Sequence, residues 1–524
     1  MHDPIHITTA IFYCNGTPHV GSAYEALAAD VFARAQRRKT DRGAVSFLSG
    51  TDEHGDKIRR AAVAEGLAPK VYTDKMSALF RQAWQGLNIS VDYFVRTTDP
   101  EHEKFVQQML LESKRLDNIY FRDYEGLYCV DCERFYTEKE LADGKLCPVH
   151  NRAVELISEG NYFLKIDKYR QFVVDHIRAN PDFIRPERYR NEALNMLAEP
   201  ISDLCISRPK SRLEWGIELP FDSDYVTYVW YDAFWAYVSE PARQLGFDRF
   251  KREIWPHSHH FIGKDILKTH IVYWPAMLLA AGFAEDQLFS HLNVHGWLNF
   301  GGSRMSKSSG NVRDPVSYER AFGPDVLRYF VMRETVYGLD GDFSEERLIE
   351  RYNADLANDL GNLVSRLLSM VARYSDGAVA ATPQSDDPEV ESAAVRRDFG
   401  NIPGLVMRTI DRVEALDFKG ALEDIWSAID ASNKYIVATA PFKLAKDPAR
   451  ADRLAQVLAN LLEALRVITD ALEPFMPVTA GRIAEMLDVE ETALRAPFGH
   501  GIKPGHRVKP PVALFPRIDK RTAE

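Results

Sequence analysis

The chain begins with a β-branched and aromatic run, His6-Ile7-Thr8-Thr9-Ala10-Ile11-Phe12-Tyr13, which Asn15-Gly16-Thr17-Pro18 breaks. A helical pattern then runs from Ser22 to about Lys39, and a second short strand follows at Ala44-Val45-Ser46-Phe47-Leu48. Gly50-Thr51-Asp52-Glu53-His54-Gly55 stands at that strand's carboxyl end, with another helix beyond. This βαβα order predicts an α/β fold built on a Rossmann-type, doubly wound parallel sheet, with ligands at the carboxyl ends of its strands.

The alternation lapses near Leu116, where a cysteine cluster, short aromatic strands and the turn Glu159-Gly160-Asn161 read as an insertion into the sheet domain. It resumes at Tyr225-Val226-Thr227-Tyr228-Val229-Trp230, continues through His259-His260-Phe261-Ile262-Gly263-Lys264-Asp265 and ends near His291-Leu292-Asn293-Val294-His295-Gly296. Beyond about Arg347, Leu356, Leu360, Leu363 and Leu367 trace one apolar stripe, the mark of a helix bundle. The predicted partition is residues 1–115 and 225–303 for the two halves of the sheet domain and 116–224 for the connective insertion. Residues 304–350 form a loop region, 351–498 the helical domain and 499–524 a basic, Pro-rich tail.

Composition excludes some classes. A formal net charge of -11 argues against a chain that coats nucleic acid through bulk electrostatics, while leaving room for a local basic groove. No apolar run reaches the roughly 18–20 residues that span a bilayer, and the N-terminus lacks a signal core, so a cytoplasmic protein with no membrane partner is expected.

Two segments carry phosphate chemistry. A strand that turns into a helix presents outward-pointing amides at the dipole's positive end, and His19-Val20-Gly21-Ser22 sits on such a turn. Taken alone, it reads as an ordinary turn histidine. The second segment, Arg304-Met305-Ser306-Lys307-Ser308, is bracketed by Gly301-Gly302 and Ser308-Ser309-Gly310, which predicts a hinged loop. Lys307 on that loop would stabilise charge that develops in a transition state; a solvated basic loop is the plain alternative.

Together the two segments resemble the paired signatures of class I aminoacyl-tRNA synthetases. Asn15-Gly16-Thr17-Pro18-His19-Val20-Gly21, Gly50-Thr51-Asp52-Glu53-His54-Gly55, Phe261-Ile262-Gly263-Lys264-Asp265-Ile266 and Val294-His295-Gly296-Trp297 resemble the methionyl-tRNA synthetase family, in order. The chain departs from the usual signatures at Ser22, where the family has histidine, and at Arg304, where it has lysine. The resemblance implies ATP-dependent activation of L-methionine to methionyl adenylate and its transfer to tRNA(Met), initiator and elongator. The implied catalytic residues are His19, Ser22, Arg304 and Lys307. ATP is met by His19, Gly21, Ser22, Met305 and Lys307, with Gly263, Asp265, His295 and Gly296 along the adenosine, and Mg²⁺ accompanies it.

Around the methionine side chain the resemblance places Ile11, Tyr13, Trp230, Ala233, Phe234, Tyr237, Ile266, His270 and Trp274, with Asp52 at the ammonium group. Aromatic rings suit a polarisable thioether, although Trp230, Phe234 and Tyr237 at helical spacing by themselves read as core more often than as pocket. Residues 304–350 become a catalytic loop and stem-contact region, and 351–498 an anticodon-binding domain. Asn358, Asn362 and Arg366 share a helix face. Asn362 and Arg366 match positions that read anticodon bases, and Phe442 stands where the family tends to stack a base on tryptophan.

Cys129-Val130-Asp131-Cys132 and Cys147-Pro148-Val149-His150 give C-x2-C-x14-C-x2-H, two knuckles suited to one tetrahedral, structural Zn²⁺. A monomer is expected, since no pattern of a C-terminal dimerisation module follows the helices. Two other readings share these residues: a tRNA-binding protein that has lost catalysis, and a class I synthetase for another amino acid.

Overall fold

In the computed structural model, which describes residues 4–40, 44–129, 134–136, 138–143, 145–148, 151–304 and 313–518, β1 (Ile5–Tyr13) pairs in parallel with β2 (Val45–Asp52). The helix α1 (Val20–Lys39) joins them. After α2 (Asp56–Ala64) and α3 (Pro69–Gly86), β3 (Tyr93–Arg96) adds to β2, and α4 (Pro100–Arg115) follows. The next stretch holds β4 (Ile119–Cys129), β5 (Arg134–Tyr136), β6 (Glu155–Leu164), α5 (Asp167–Ala179), β7 (Ile184–Arg185), α6 (Glu187–Met196) and β8 (Leu204–Cys205). Of these, β5-β4-β6-β8 form an antiparallel sheet. A second small antiparallel sheet unites β9 (Ser207–Pro209), β10 (Glu218–Leu219) and β11 (Asp222–Thr227), and α7 (Val229–Phe234) and α8 (Ala236–Leu245) come after it. The strands β12 (Ser258–Gly263) and β13 (His291–His295) complete the main sheet, whose order is β3-β2-β1-β12-β13-β7 with every pairing parallel.

Parallel strands are covered on both faces, so polar side chains inside them need internal partners. In β1, His6 Nδ1 lies 2.9 Å from Ser46 Oγ, Thr8 Oγ1 2.6 Å from His260 Nδ1, and Thr9 Oγ1 donates to Ser49 Oγ at 2.9 Å. These bonds run from the first strand to both neighbours and tie the sheet's centre together.

Two segments differ from the sequence expectation. Tyr225–Trp230 is not a strand of the main sheet: β11 ends at Thr227 within the small antiparallel sheet, and Trp230 rides on α7. A short aromatic run is compatible with either periodicity, and the helical choice buries Tyr231, Asp232, Ala233 and Phe234. Conversely β7, inside the stretch read as an insertion, is the edge strand of the main sheet. Two residues carry no legible strand pattern.

By internal packing, residues 1–29, 40–85 and 90–297 form one unit, and residues 30–39, 86–89 and 298–524 a second. The second unit opens with β14 (Leu298–Phe300), β15 (Ser303–Arg304) and β16 (Gly341–Phe343) in the order β15-β14-β16. Between β14 and β15, Gly301 and Gly302 adopt φ of 60° and 73°. The pair is therefore a tight hairpin turn with left-handed backbone at both positions, where the sequence suggested a mobile hinge. The helices of this unit include Pro324–Glu334, Asn362–Ser375, Phe418–Thr439, Ala451–Leu472 and Pro477–Leu487. Leu356, Leu360, Leu363 and Leu367 are buried as the stripe predicts.

A buried ion pair organises the unit. Arg328 meets Asp30 at 2.7 Å with both side chains fully enclosed, and its guanidinium also donates to the carbonyls of Leu87, Pro474 and Phe475. A guanidinium tolerates burial when its donors are occupied in this way. The described part of the basic tail packs back on the helices: Glu463 accepts from the backbone N–H groups of Gly499 and Ile502, and Ile502 is buried.

Candidate active site

The carboxyl ends of four adjacent strands converge on the predicted site. Tyr13 at the end of β1 is the ladder partner of Asp52 at the end of β2, and Gly263 at the end of β12 is the partner of His295 at the end of β13. The strand order reverses between β1 and β12, where an open parallel sheet forms its ligand crevice. A side chain at 263 would fill this place: a Cβ there would stand 2.7 Å from Asp265 Oδ1.

His19 and Ser22 form a reciprocal cap at the start of α1. The Ser22 hydroxyl accepts from the His19 N–H at 3.0 Å and donates to the His19 carbonyl at 2.7 Å, while the Ser22 N–H donates to His19 Nδ1 at 3.1 Å. This is capping-box logic with histidine in the cap position. It fixes Nδ1 as an acceptor and makes Nε2 the proton-bearing nitrogen of the neutral ring. Ser22 thus has a definite local role in place of the family's histidine.

Sequence reasoning missed Glu25. One carboxylate oxygen accepts from the Ala10 N–H at 2.8 Å and the other lies 3.0 Å from His295 Nε2. His295 Nδ1 is 2.7 Å from the Gly296 carbonyl. Both ring nitrogens therefore face oxygen acceptors, an arrangement that favours the protonated ring beside Glu25. Burial disfavours that charge, but the hydrogen bond and charge of Glu25 outweigh it and raise the histidine above its ordinary value.

The predicted methionine residues split into a buried floor and a partly exposed rim. Phe234, Tyr237, His270 and Trp274 are buried, whereas Ile11, Tyr13, Trp230 and Ile266 pack against the same core from its edge. Ala233 is buried beside them on α7, and Asp52 is 8% exposed. Phe234 stacks on Trp274 with centroids 5.3 Å apart and meets the His270 ring edge-on at 4.9 Å; Trp230 lies 5.5 Å from Phe234.

The polar edges of this floor are fully specified. His270 Nδ1 faces the Ile266 carbonyl at 2.9 Å and must donate, so Nε2 accepts from the Tyr237 hydroxyl at 2.9 Å. Burial holds His270 neutral, with its pKa lowered to about 4. His260, which the sequence did not single out, accepts from Trp274 Nε1 at 3.3 Å, so its proton sits on Nδ1 and donates to Thr8. The outcome is a neutral aromatic wall suited to a thioether.

Three further buried groups escaped the sequence reading: Asp232 on α7, His54 after β2 and His102 on α4. Asp232 Oδ2 accepts from His54 Nδ1 at 2.6 Å and Oδ1 from His102 Nε2 at 2.7 Å. Burial alone would raise the carboxyl and lower the imidazole, yet their pairing pushes Asp232 below the ordinary carboxylate range and His54 above the ordinary histidine value.

Of the predicted metal ligands, Cys129 and Cys147 are buried in one small cluster with Tyr136 and Leu141, and the Cys147 thiol lies 3.4 Å from the Tyr136 hydroxyl. Cys132 and His150 lie outside the described residues, as do Met305 and Lys307. Of Arg304 only the backbone, paired to Asn299, is described. Among the described residues no group of three or more His, Cys, Asp or Glu side chains is arranged to hold a metal. None of the described helices is long and apolar enough to cross a membrane.

In the second unit, Asn358, Asn362 and Arg366 line a cleft of about 530 Å³ together with Asn433, Lys434 and Val437. Phe442, at the start of the short helix Pro441–Leu444, is exposed and does not line it.

Comparison with known proteins decides the family. A family model described as tRNA synthetases class I (M) matches residues 5–155 and 143–368, and one described as the anticodon binding domain of methionyl tRNA ligase matches residues 399–524. The chain belongs to the methionyl-tRNA synthetase family. It is a class I aminoacyl-tRNA synthetase and a ligase, as the paired signatures implied. Among methionine–tRNA ligases it is 41% identical over 523 residues to that of Caldanaerobacter subterraneus subsp. tengcongensis, across 99% of this chain and 80% of the relative. It is 42% identical over 525 residues to that of Deinococcus radiodurans, across 99% and 75%. The fold matches Mycobacterium tuberculosis methionyl-tRNA synthetase bound by methionyl-adenylate with a TM-score of 0.89, at 37% identity over 98% of this chain and 100% of that one. Against the free-state structure of the same enzyme the TM-score is 0.83, at 35% identity over 99% of each chain.

Proposed function

We infer that this synthetase activates L-methionine with ATP and passes the methionyl group to the terminal ribose of tRNA(Met), both initiator and elongator, and that the strand-end residues above perform the first step. The observation that carries this reading is the ladder pairing of Tyr13 with Asp52 and of Gly263 with His295, backed by the aromatic floor of Phe234, Tyr237, His270 and Trp274. Asp52 takes the ammonium group and the rings take the thioether. The methionine carboxylate attacks the α-phosphorus; a new P–O bond forms and the bond to pyrophosphate breaks. His19, the start of α1 and Lys307 stabilise the departing negative charge, with Mg²⁺ accompanying ATP. Ser22 acts by holding His19, and Arg304 supplies a permanent positive charge where lysine is usual. Gly21, Gly263, Asp265, His295, Gly296 and Met305 complete the nucleotide site, with Glu25 orienting His295.

A single structural Zn²⁺ held by Cys129, Cys132, Cys147 and His150 is part of this reading. Its support is the burial of two of the four ligands in one small cluster, a place where metal would stand in for an apolar core. The enzyme is proposed to work as a cytoplasmic monomer, reading the anticodon with the cleft of Asn362 and Arg366 and stacking a base on Phe442.

Replacing Arg366 separates the two steps. Arg366→Ala is expected to lower the rate of tRNA charging roughly tenfold or more, given about 1–3 kcal/mol for an arginine–base contact, while leaving methionine-dependent pyrophosphate exchange unchanged. Parallel aminoacylation and exchange assays check this, and an equal loss in both would remove Arg366 from the RNA site.

A further inference from the structure

The segment after β2 and the helix α7 serve opposite ends of one small substrate. On the site reading above, Asp52 meets the ammonium group while Trp230, Ala233 and Phe234 on α7 meet the side chain. Methionine joins those ends through a few bonds, so both surfaces must stand at one fixed separation for the contacts to be made together. Asp232, also on α7, is fully enclosed and links them. Its Oδ2 accepts from His54 Nδ1 at 2.6 Å, two residues along from Asp52, and its Oδ1 accepts from His102 Nε2 at 2.7 Å. His102 Nδ1 in turn lies 2.9 Å from Ser239 Oγ on α8.

The segment after β2 is held from a second side as well. Trp215 Nε1 donates to the Glu53 carbonyl at 2.6 Å, its ring lies 5.2 Å from that of His54, and the Gly55 N–H donates to the Trp215 carbonyl. A buried carboxylate that satisfies two histidines has a well-defined position, because moving either partner leaves a charge without its hydrogen bond. Nothing in methionine activation requires a carboxylate on the side of α7 that meets His54 and His102.

We propose that Asp232 is a positioning residue for methionine: held on α4 by His102, it sets through His54 the spacing between the Asp52 segment and the α7 wall. This rests on the assignment of Asp52 and α7 to the methionine site. Loss of the spacing removes the simultaneous fit of both ends of the amino acid and leaves the nucleotide residues at β12 and β13 in place, so the effect appears in the methionine KM and not in the ATP KM.

The test is pyrophosphate exchange with the full chain, titrating methionine and ATP separately for Asp232→Asn, His102→Ala, His102→Gln and Asp52→Ala. His102→Ala is expected to raise the methionine KM at least fivefold with the ATP KM within twofold of the parent. His102→Gln, whose amide N–H stands where Nε2 stood, is expected to restore it. If Asp232→Asn does not fold, the His102 pair decides. An unchanged methionine KM in His102→Ala, or equal rises for methionine and ATP, overturns the proposal while Asp52→Ala still raises the methionine KM. An Asp52→Ala protein with the parent's methionine KM overturns the site assignment, and the proposal with it.

Discussion

Lys307→Ala is expected to slow adenylate formation by roughly 10²–10³-fold while leaving the methionine KM within about twofold of the parent. Pyrophosphate departs with charge that grows as the P–O bond lengthens, so a cation that engages it late acts on the transition state more than on the bound substrates. Gly301 and Gly302 make the tight turn that starts β15, which ends at Arg304. Single-turnover adenylate formation beside methionine titration separates the two quantities. A fall in methionine affinity as large as the fall in rate would contradict a transition-state role.

Acid is expected to unfold the sheet unit well before its carboxylates are fully protonated. His6, His270 and His291 are lowered to about 4, chiefly by burial, and burial takes His259 and His260 well below the ordinary value. In the unfolded chain a histidine titrates near 6.5, so above that pH both states are neutral and these groups contribute nothing. Below it the unfolded state binds protons that the folded state refuses, and stability falls as pH drops from about 6.5 toward about 4. At pH 5 each of His6, His270 and His291 contributes a loss of about 2 kcal/mol, a sum comparable to the whole stability of many domains.

His54 and His295 act the other way. Their raised values give stability that is fully present below about 6.5 and is lost as pH rises through the folded value. With His176, which burial also lowers, six lowered histidines stand against two raised ones. Calorimetric melting at pH 7.5 and 5.5 is expected to differ by roughly 10 °C, with net proton uptake on unfolding at the lower pH. A melting temperature independent of pH across that window, or proton release on unfolding, would contradict the neutral buried histidines.

The placing of several candidate residues at strand ends was legible in the sequence. Tyr13 closes its run in the sequence, Asp52, Gly263 and His295 stand at or near the ends of theirs, and the parallel ladder makes neighbours of them in pairs. The aromatic floor was proposed only through family resemblance, since rings at helical spacing describe a core more often than a pocket. Glu25 was hidden because a carboxylate on a helix usually faces water, and its partner His295 is distant in the chain. Asp232 offered a signal that went unused: a lone carboxylate amid Tyr228, Trp230, Tyr231, Phe234 and Trp235 must either break the apolar run or find buried donors. Gly301-Gly302 carries the left-handed backbone of the β14–β15 turn, a use of glycine that its sequence does not distinguish from a hinge.

The central claim is that this chain makes methionyl adenylate at the ends of β1, β2, β12 and β13. Methionine-dependent exchange of labelled pyrophosphate into ATP measures that reaction without tRNA. Robust exchange is expected with L-methionine and none above background with leucine, isoleucine or cysteine. Folded protein, assayed with Zn²⁺ supplied, that supports no exchange with methionine, or that exchanges equally with another of these amino acids, would contradict it.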